Sequence, residues 1–281
     1  MANPFLVNGT ASPQSIYELS AAGSPVHKVG TRGIMEDGRV FYYARQGTVT
    51  ALAAGKLMVK KDVDTAHHEL DGTTGAAGSF TISGITIGAS ALAANQYRNG
   101  WCVVTDGAGE GHTYKIKEHA SALASATTVA ITLYDPIKVS LDTNSTVSFI
   151  LNDFADPQIS VTDQLDIPVG VPPIAVGAAS SATDETTWTY FWIQTWGPAG
   201  VLQDEAVGAL GQALTTGTGV AGAVEEDDTA TTVSQETIIG LTITNAAGVI
   251  TLKLTTTGSP ADGTMLWGAK PCSQGINTAR G

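Results

Sequence analysis

The stretch Trp188-Thr-Tyr-Phe-Trp-Ile-Gln-Thr-Trp196 decides the fold class. Trp188, Tyr190, Trp192 and Trp196 share one parity, with Phe191 and Ile193 on the other. Side chains of an extended strand alternate between faces, so four large rings would line one side. That side reads as a core face. A subunit interface, where Trp and Tyr are enriched, and a sugar-stacking platform are the other readings of the same pattern.

Working outward, the same short, β-branched and aromatic pattern recurs. It is found in Val40-Phe-Tyr-Tyr-Ala, Thr81-Ile-Ser-Gly-Ile-Thr-Ile, Thr128-Val-Ala-Ile-Thr-Leu-Tyr and Ser145-Thr-Val-Ser-Phe-Ile-Leu. It returns in Thr237-Ile-Ile-Gly-Leu-Thr-Ile-Thr and Gly248-Val-Ile-Thr-Leu-Lys-Leu. Alternation of apolar residues with Thr or Ser is the mark of a half-buried strand. Asp37-Gly38, Asp71-Gly72, Asn99-Gly100, Asp106-Gly107 and Asp262-Gly263 supply turns. Residues 90–97 and 118–126 are expected to form short helices, and 204–210 a single turn. The expected fold is therefore mainly β: two or three small β-barrel or β-sandwich-like units, few short helices and an extended N-terminal arm.

Composition suggests the boundaries. Residues 1–30 contain Pro4, Pro13 and Pro25 with little periodicity and read as the arm. A first β unit spans 31–78, closing in a Gly-rich stretch. A central β domain covers 79–168. After Pro168-Val-Gly-Val-Pro-Pro comes an acidic C-terminal β domain, 169–270, and then a tail, 271–281. A weak echo links Phe41-Tyr-Tyr-Ala-Arg-Gln-Gly47 with Phe191-Trp-Ile-Gln-Thr-Trp-Gly197. It leaves open an arrangement in which 31–66 and 170–268 form one domain with 79–155 inserted, or two related ones.

The chain has 281 residues, with 32 Gly and 11 Pro, which favours turns over long helices. A net charge of −12 argues against a nucleic-acid partner. No apolar run approaches the ~18 residues of a membrane helix, and the N-terminus lacks the basic residues of a secretory signal, so assembly in a cytosol is expected. Two cysteines, Cys102 and Cys272, leave the redox compartment open. Charge is unevenly placed. Between Lys138 and Lys253 there is no Lys or Arg but there are 14 Asp and Glu, whereas residues 1–138 are neutral. That stretch reads as a solvated acidic surface without salt bridges; the sharper reading is that the neutral part docks on a partner while the acidic part faces outward.

Enzymatic motifs are missing from the sequence. Gly217-Thr-Gly-Val-Ala-Gly222 spells a dinucleotide fingerprint, but Glu225-Glu-Asp-Asp follows where a helix should begin, and carboxylates repel a pyrophosphate. Gly55-Lys56 resembles the end of a phosphate loop, with Leu57 where a hydroxyl must hold magnesium. His67-His68-Glu69 near Asp62 and Asp64 reads as a polar loop rather than a metal site. Glu225 to Asp228 reads as a solvated acidic loop rather than a calcium loop. Asp106-Gly-Ala-Gly-Glu-Gly-His112 reads as a loop between strands. The expectation is no catalytic residue, no metal and no cofactor.

Several segments resemble virion structural proteins of tailed bacteriophages. They are Asp37-Gly-Arg-Val-Phe-Tyr-Tyr-Ala-Arg-Gln-Gly with Ala51-Leu-Ala-Ala-Gly-Lys-Leu, Asn99-Gly-Trp-Cys-Val-Val-Thr-Asp-Gly-Ala-Gly-Glu-Gly-His-Thr-Tyr-Lys-Ile, and Tyr190-Phe-Trp-Ile-Gln-Thr-Trp-Gly-Pro-Ala-Gly-Val-Leu. The glycine-punctuated C-terminal strands are similar to those of capsid decoration (cement) proteins. The resemblance implies a non-enzymatic protein on the outer capsid surface of the virion. Its partners would be the major capsid protein and like chains, as a homotrimer, with no nucleic acid and no membrane. The charge division places attachment on arm and early-strand residues: Phe5, Leu6, Tyr17, Arg32, Arg39 and Arg45. A tail-associated receptor- or glycan-binding protein is the alternative, and a hydrolase with an unrecognised site the third.

Overall fold

The computed structural model describes residues 15–161, 167–204, 210–211, 213–226, 239–242 and 249–254. In chain order the strands are β1 (Arg32–Ile34), β2 (Val40–Gln46), β3 (Met58–Val59), β4 (Leu70–Gly75), β5 (Thr81–Ile85), β6 (Trp101–Asp106), β7 (Thr113–His119) and β8 (Val129–Leu133). They continue with β9 (Leu141–Ile150), β10 (Gln158–Ile159), β11 (Pro168–Gly170), β12 (Thr189–Leu202), β13 (Ala213–Thr216), β14 (Val224–Glu226), β15 (Gly240–Thr242) and β16 (Val249–Leu254). The chain is mainly β, as its periodicity predicts. The helical elements among the described residues are 3-10 turns at Ser15–Tyr17, Thr65–His67 and Glu185–Thr187, and none is long and apolar enough to cross a membrane.

The helices expected at 90–97 and 118–126 do not form. The two segments instead pair with each other through reciprocal Leu92 and Ala122 hydrogen bonds of 2.9 Å, and β7 runs on to His119. A two-turn helix is marginal in water, so the long-range pairing wins. Most of 204–210 and all of Asp262-Gly263 lie outside the described residues.

A closed six-stranded antiparallel barrel, in the order β4-β5-β8-β7-β6-β9, forms the central unit. Alternation fills it: Cys102 and Val104, Tyr114 and Ile116, Val129, Ile131 and Leu133, and Val147 and Phe149 are all buried at every second position. Asp71-Gly72 is not a turn but a kink within β4. Gly72 (φ +77°) and Gly84 (φ +75°) lie back to back, and a Cβ on either would come within 2.6 Å of the other's carbonyl oxygen. Ladder register slips beside both residues, between Leu70 and Thr73 and between Ile82 and Ile85, which bends the strands toward closure.

A seven-stranded sheet, ordered β1-β2-β12-β16-β15-β13-β14, joins residues 32–46 to residues 189–254. The barrel is therefore inserted between β2 and β12 in sequence. The expected unit 31–78 is divided: its first strands belong to the large sheet, while β4 belongs to the barrel. A small sheet, β10-β3-β11, lies on the connection. In β12 both faces are buried, with Tyr190 and Trp192 on one and Phe191 and Ile193 on the other. Register shifts between Gln194 and Trp196, so Trp196 leaves the shared parity and is only half-buried.

Residues 15–30 correct the expectation of an extended arm, because they pack on the large sheet. Ile16 and Val29 are buried. Ser20 and Gly23 donate backbone N–H groups to the Tyr190 and Trp188 carbonyls, both at 2.9 Å, and Gly30 donates to Tyr43 at 2.8 Å. The segment follows the large sheet because β12 and β2 leave backbone acceptors for it.

Candidate functional site

The six expected attachment residues do not stay together. Phe5 and Leu6 lie outside the described residues. Arg45 is a correction: it is 2 % exposed, and its guanidinium donates to the Asp156 carboxylate at 2.6 and 3.1 Å and to the Asn95 and Gln96 carbonyls at 3.3 and 3.2 Å. Its Cζ lies 3.9 Å from the Trp188 ring centroid. A buried guanidinium needs all of these partners to offset its lost hydration, which is why it joins the sheet to the barrel instead of reaching outward.

Tyr17 is exposed, and Arg32 and Arg39 are half-buried. Tyr17 is 55 % exposed at the end of the first 3-10 turn. Arg39, on the β1–β2 hairpin, pairs with Asp37 at 2.7 Å and lies 5.6 Å over the Phe41 ring. Burial works against its charge, but hydrogen bonds to Asp37 and Tyr17 overcome this and raise its pKa. Tyr17 and Arg39 thus meet, in the lining of a groove of about 310 Å³ that also includes Pro172, Pro173, Gln194 and Pro198. Arg32 is half-buried on β1, at the edge of the large sheet.

The acidic segment is not free of salt bridges. Cations from the first half of the chain reach its carboxylates: Arg45 to Asp156 at 2.6 Å, Lys60 to Asp153 at 2.7 Å and Arg98 to Glu185 at 3.1 Å. Lys61 also approaches Asp156 at 4.0 Å. The uneven charge along the sequence is in part a complementarity within one molecule, realised only when the barrel meets the sheet.

The other motifs resolve into structural roles. In the glycine run after β13, the Asp204 carboxylate accepts the Gly219 and Val220 N–H groups at 2.6 and 3.0 Å. Those are the backbone donors a phosphate would need. Glu225 and Glu226 lie in β14 rather than in a loop, and Glu225 accepts from the Thr218 N–H and hydroxyl at 3.0 Å. His67 is fully buried rather than in a polar loop, with Nδ1 at 2.8 Å from the Tyr97 hydroxyl and Nε2 at 3.2 Å from the Ser90 carbonyl. Asp64 caps that turn by accepting the Ala66 N–H at 3.0 Å. No group of three metal-ligating side chains converges among the described residues.

A second cleft, which local sequence patterns do not signal, lies where residues 25–29, the barrel and β12 meet. Its volume is about 250 Å³, and its lining includes His27, Lys28, Arg98, Asn99, Tyr134 and Tyr190. Burial lowers the pKa of His27 and raises that of Tyr190; the nearby Arg45 and Arg98 charges oppose the Tyr190 shift. These residues come from four separate stretches of chain, so only the tertiary fold assembles them. The sugar-platform reading of 188–196 meets a different outcome, since Trp188 and Trp192 are core residues.

Comparison of the chain with protein-family models, curated proteins and solved structures returns no match.

Proposed function

We propose that this chain is a non-enzymatic virion structural protein of the capsid decoration kind, attached to the outer face of a tailed-phage head. One observation carries the reading: charge is divided across the large sheet. On β1 and its hairpin, at one edge, Arg32 and Arg39 are balanced by Glu36 and Asp37, whereas Glu225 and Glu226 lie on β14 at the other edge, with five strands between. At about 4.8 Å per strand the two edges are on the order of 30 Å apart. Asp204 adds to the acidic edge, where Lys56 reaches the Ala221 carbonyl at 2.8 Å. The resemblance of the strand segments to phage virion proteins agrees with it.

In this reading the Tyr17–Arg39 groove and β1 face the major capsid protein, and the β14 edge faces solvent. A proline-walled groove that also presents Tyr17, Gln194 and the Arg39 cation suits a protein partner, which can combine apolar contact with hydrogen bonds there. The half-buried carboxylates at the far edge keep part of their hydration, and their shared sign keeps particles apart.

The test is binding of the purified chain to empty heads assembled from the cognate major capsid protein. Arg32→Glu with Arg39→Glu should weaken attachment, whereas Glu225→Lys with Glu226→Lys should leave it near the parent value. Equal loss from both pairs, or from the acidic pair alone, would overturn the orientation. No attachment by the parent chain would overturn the function.

A further inference from the structure

We propose that the cleft between residues 25–29, the barrel and β12 binds a hydroxylated carboxylate of monosaccharide size, a uronate-like acid. This site uses neither Tyr17 nor Arg39 and is independent of the capsid reading.

The argument begins with an electrostatic imbalance. Lys28 Nζ lies 4.1 Å from the centre of the Tyr134 ring and has no carboxylate within ion-pair distance among the described residues. Another cation, Lys115, lies outside the cleft lining but feels the Lys28 charge; its own Nζ is 5.4 Å from the Trp101 ring. Burial first, and the Lys28 charge second, lower the pKa of Lys115. Lys28 is thus a cation without an ion-pair partner among the described residues, in a chain of net charge −12. Arg98 and Arg45 are the other cations of the lining; Glu185 at 3.1 Å offsets the first and Asp156 the second. Lys28 is therefore the lining cation left for an anion to meet.

Neutral donors accompany the cations. The Tyr190 hydroxyl forms no hydrogen bond with the described residues, although the ring borders the cleft. Asn99 accepts from the Tyr134 hydroxyl at 3.0 Å through its side-chain oxygen, which leaves its amide N–H groups available. Pro25, Val26 and the Tyr134 ring provide apolar wall. A cation for a carboxylate, an amide and a phenol for hydroxyl oxygens, and apolar surface for a C–H face together describe a sugar acid. The volume, about 250 Å³, is below the ~300–1,000 Å³ of sites for drug-sized ligands, which limits the occupant to about one ring.

The experiment is a titration of the full-length chain, followed by tryptophan fluorescence and calorimetry, with D-glucuronate, D-glucose and inorganic phosphate. Glucuronate should bind saturably, with glucose and phosphate each at least about tenfold weaker. Lys28→Ala, at an exposed position, and Tyr190→Phe should each weaken glucuronate binding severalfold while leaving the thermal midpoint near that of the parent. No saturable response to glucuronate at millimolar concentration overturns the site. Phosphate binding as tight as glucuronate reduces it to a plain anion site and overturns the ligand class. Glucuronate binding unchanged in Lys28→Ala overturns its location.

Discussion

Arg45 and Asp156 meet across 111 residues of chain in a doubly hydrogen-bonded ion pair, its shorter contact 2.6 Å, with side chains only 2 % and 7 % exposed. Arg45 belongs to β2 of the large sheet, and Asp156 lies just beyond β9 of the barrel. The same Asp156 carboxylate accepts the Gly47 N–H at 2.8 Å, and the Asp156 N–H donates to the Arg45 carbonyl at 2.8 Å. The pair is thus tied to both backbones, and it fixes how the inserted barrel sits on the sheet.

Removing one partner leaves the other charge buried without compensation. Asp156→Ala or Arg45→Ala should each destabilise the protein by about 3–5 kcal/mol. The double variant Arg45→Ala with Asp156→Ala should lose less than the sum of the two single losses. Urea unfolding of the four proteins measures this; additive losses would remove the pair from its structural role.

His119 ties stability to pH. Its Nε2 accepts the Tyr97 N–H at 3.0 Å, and its Nδ1 lies 3.0 Å from the Ala120 carbonyl, so the neutral ring satisfies both contacts. Burial, assisted by the Arg98, Arg45 and His67 charges and opposed by the Ala120 carbonyl, pushes its pKa down to about 4. An unfolded histidine titrates near pH ~6.5. The folded pKa is the lower one, so this contribution is fully present above about pH 6.5, falls as pH drops toward about 4 and is gone below it. It is worth on the order of 3 kcal/mol, and His119→Gln should flatten the dependence of urea stability on pH across that window.

Gly72→Ala and Gly84→Ala should each cost more than about 2 kcal/mol, because the new methyl meets a carbonyl oxygen at 2.6 or 2.5 Å as well as a left-handed backbone. Gly78→Ala is the control. Its φ is +87° but nothing lies within 4 Å of the added carbon, so only the backbone term of about 1–2 kcal/mol remains. Thermal unfolding of the three variants separates steric from conformational cost; equal losses would mean that the two strands do not approach as described.

Cys102 is a free thiol inside the barrel, and burial raises its pKa well above the usual range. Thiolate is the reactive form. Native protein treated with iodoacetamide at pH 8 should therefore carry no label on the Cys102 peptide, while protein unfolded in urea should be labelled there fully. Rapid native labelling at Cys102 would contradict a packed barrel.

Strand-forming stretches were legible from alternation alone. Val129, Ile131 and Leu133 face inward because a pleated chain puts every second residue on one side, and the bulk apolar effect then selects that side. The attachment candidates were legible only as residue types. Arg39 and Arg45 look alike in sequence, six residues apart on one hairpin, yet one is half-buried beside Asp37 and the other is in the core.

Local composition by itself determined that this chain is mainly β, where most of its strands lie and that its charge is lopsided, since periodicity and side-chain size act over a few residues. Tertiary structure alone decided that β4 leaves its sequence neighbours for the barrel, that first-half cations neutralise Asp153, Asp156 and Glu185, and that Lys28, Arg98, Asn99, Tyr134 and Tyr190 share a cleft. These outcomes depend on pairings between residues tens to more than a hundred positions apart. Their energies come from shared burial and charge compensation, which arise only when the distant segments are in contact.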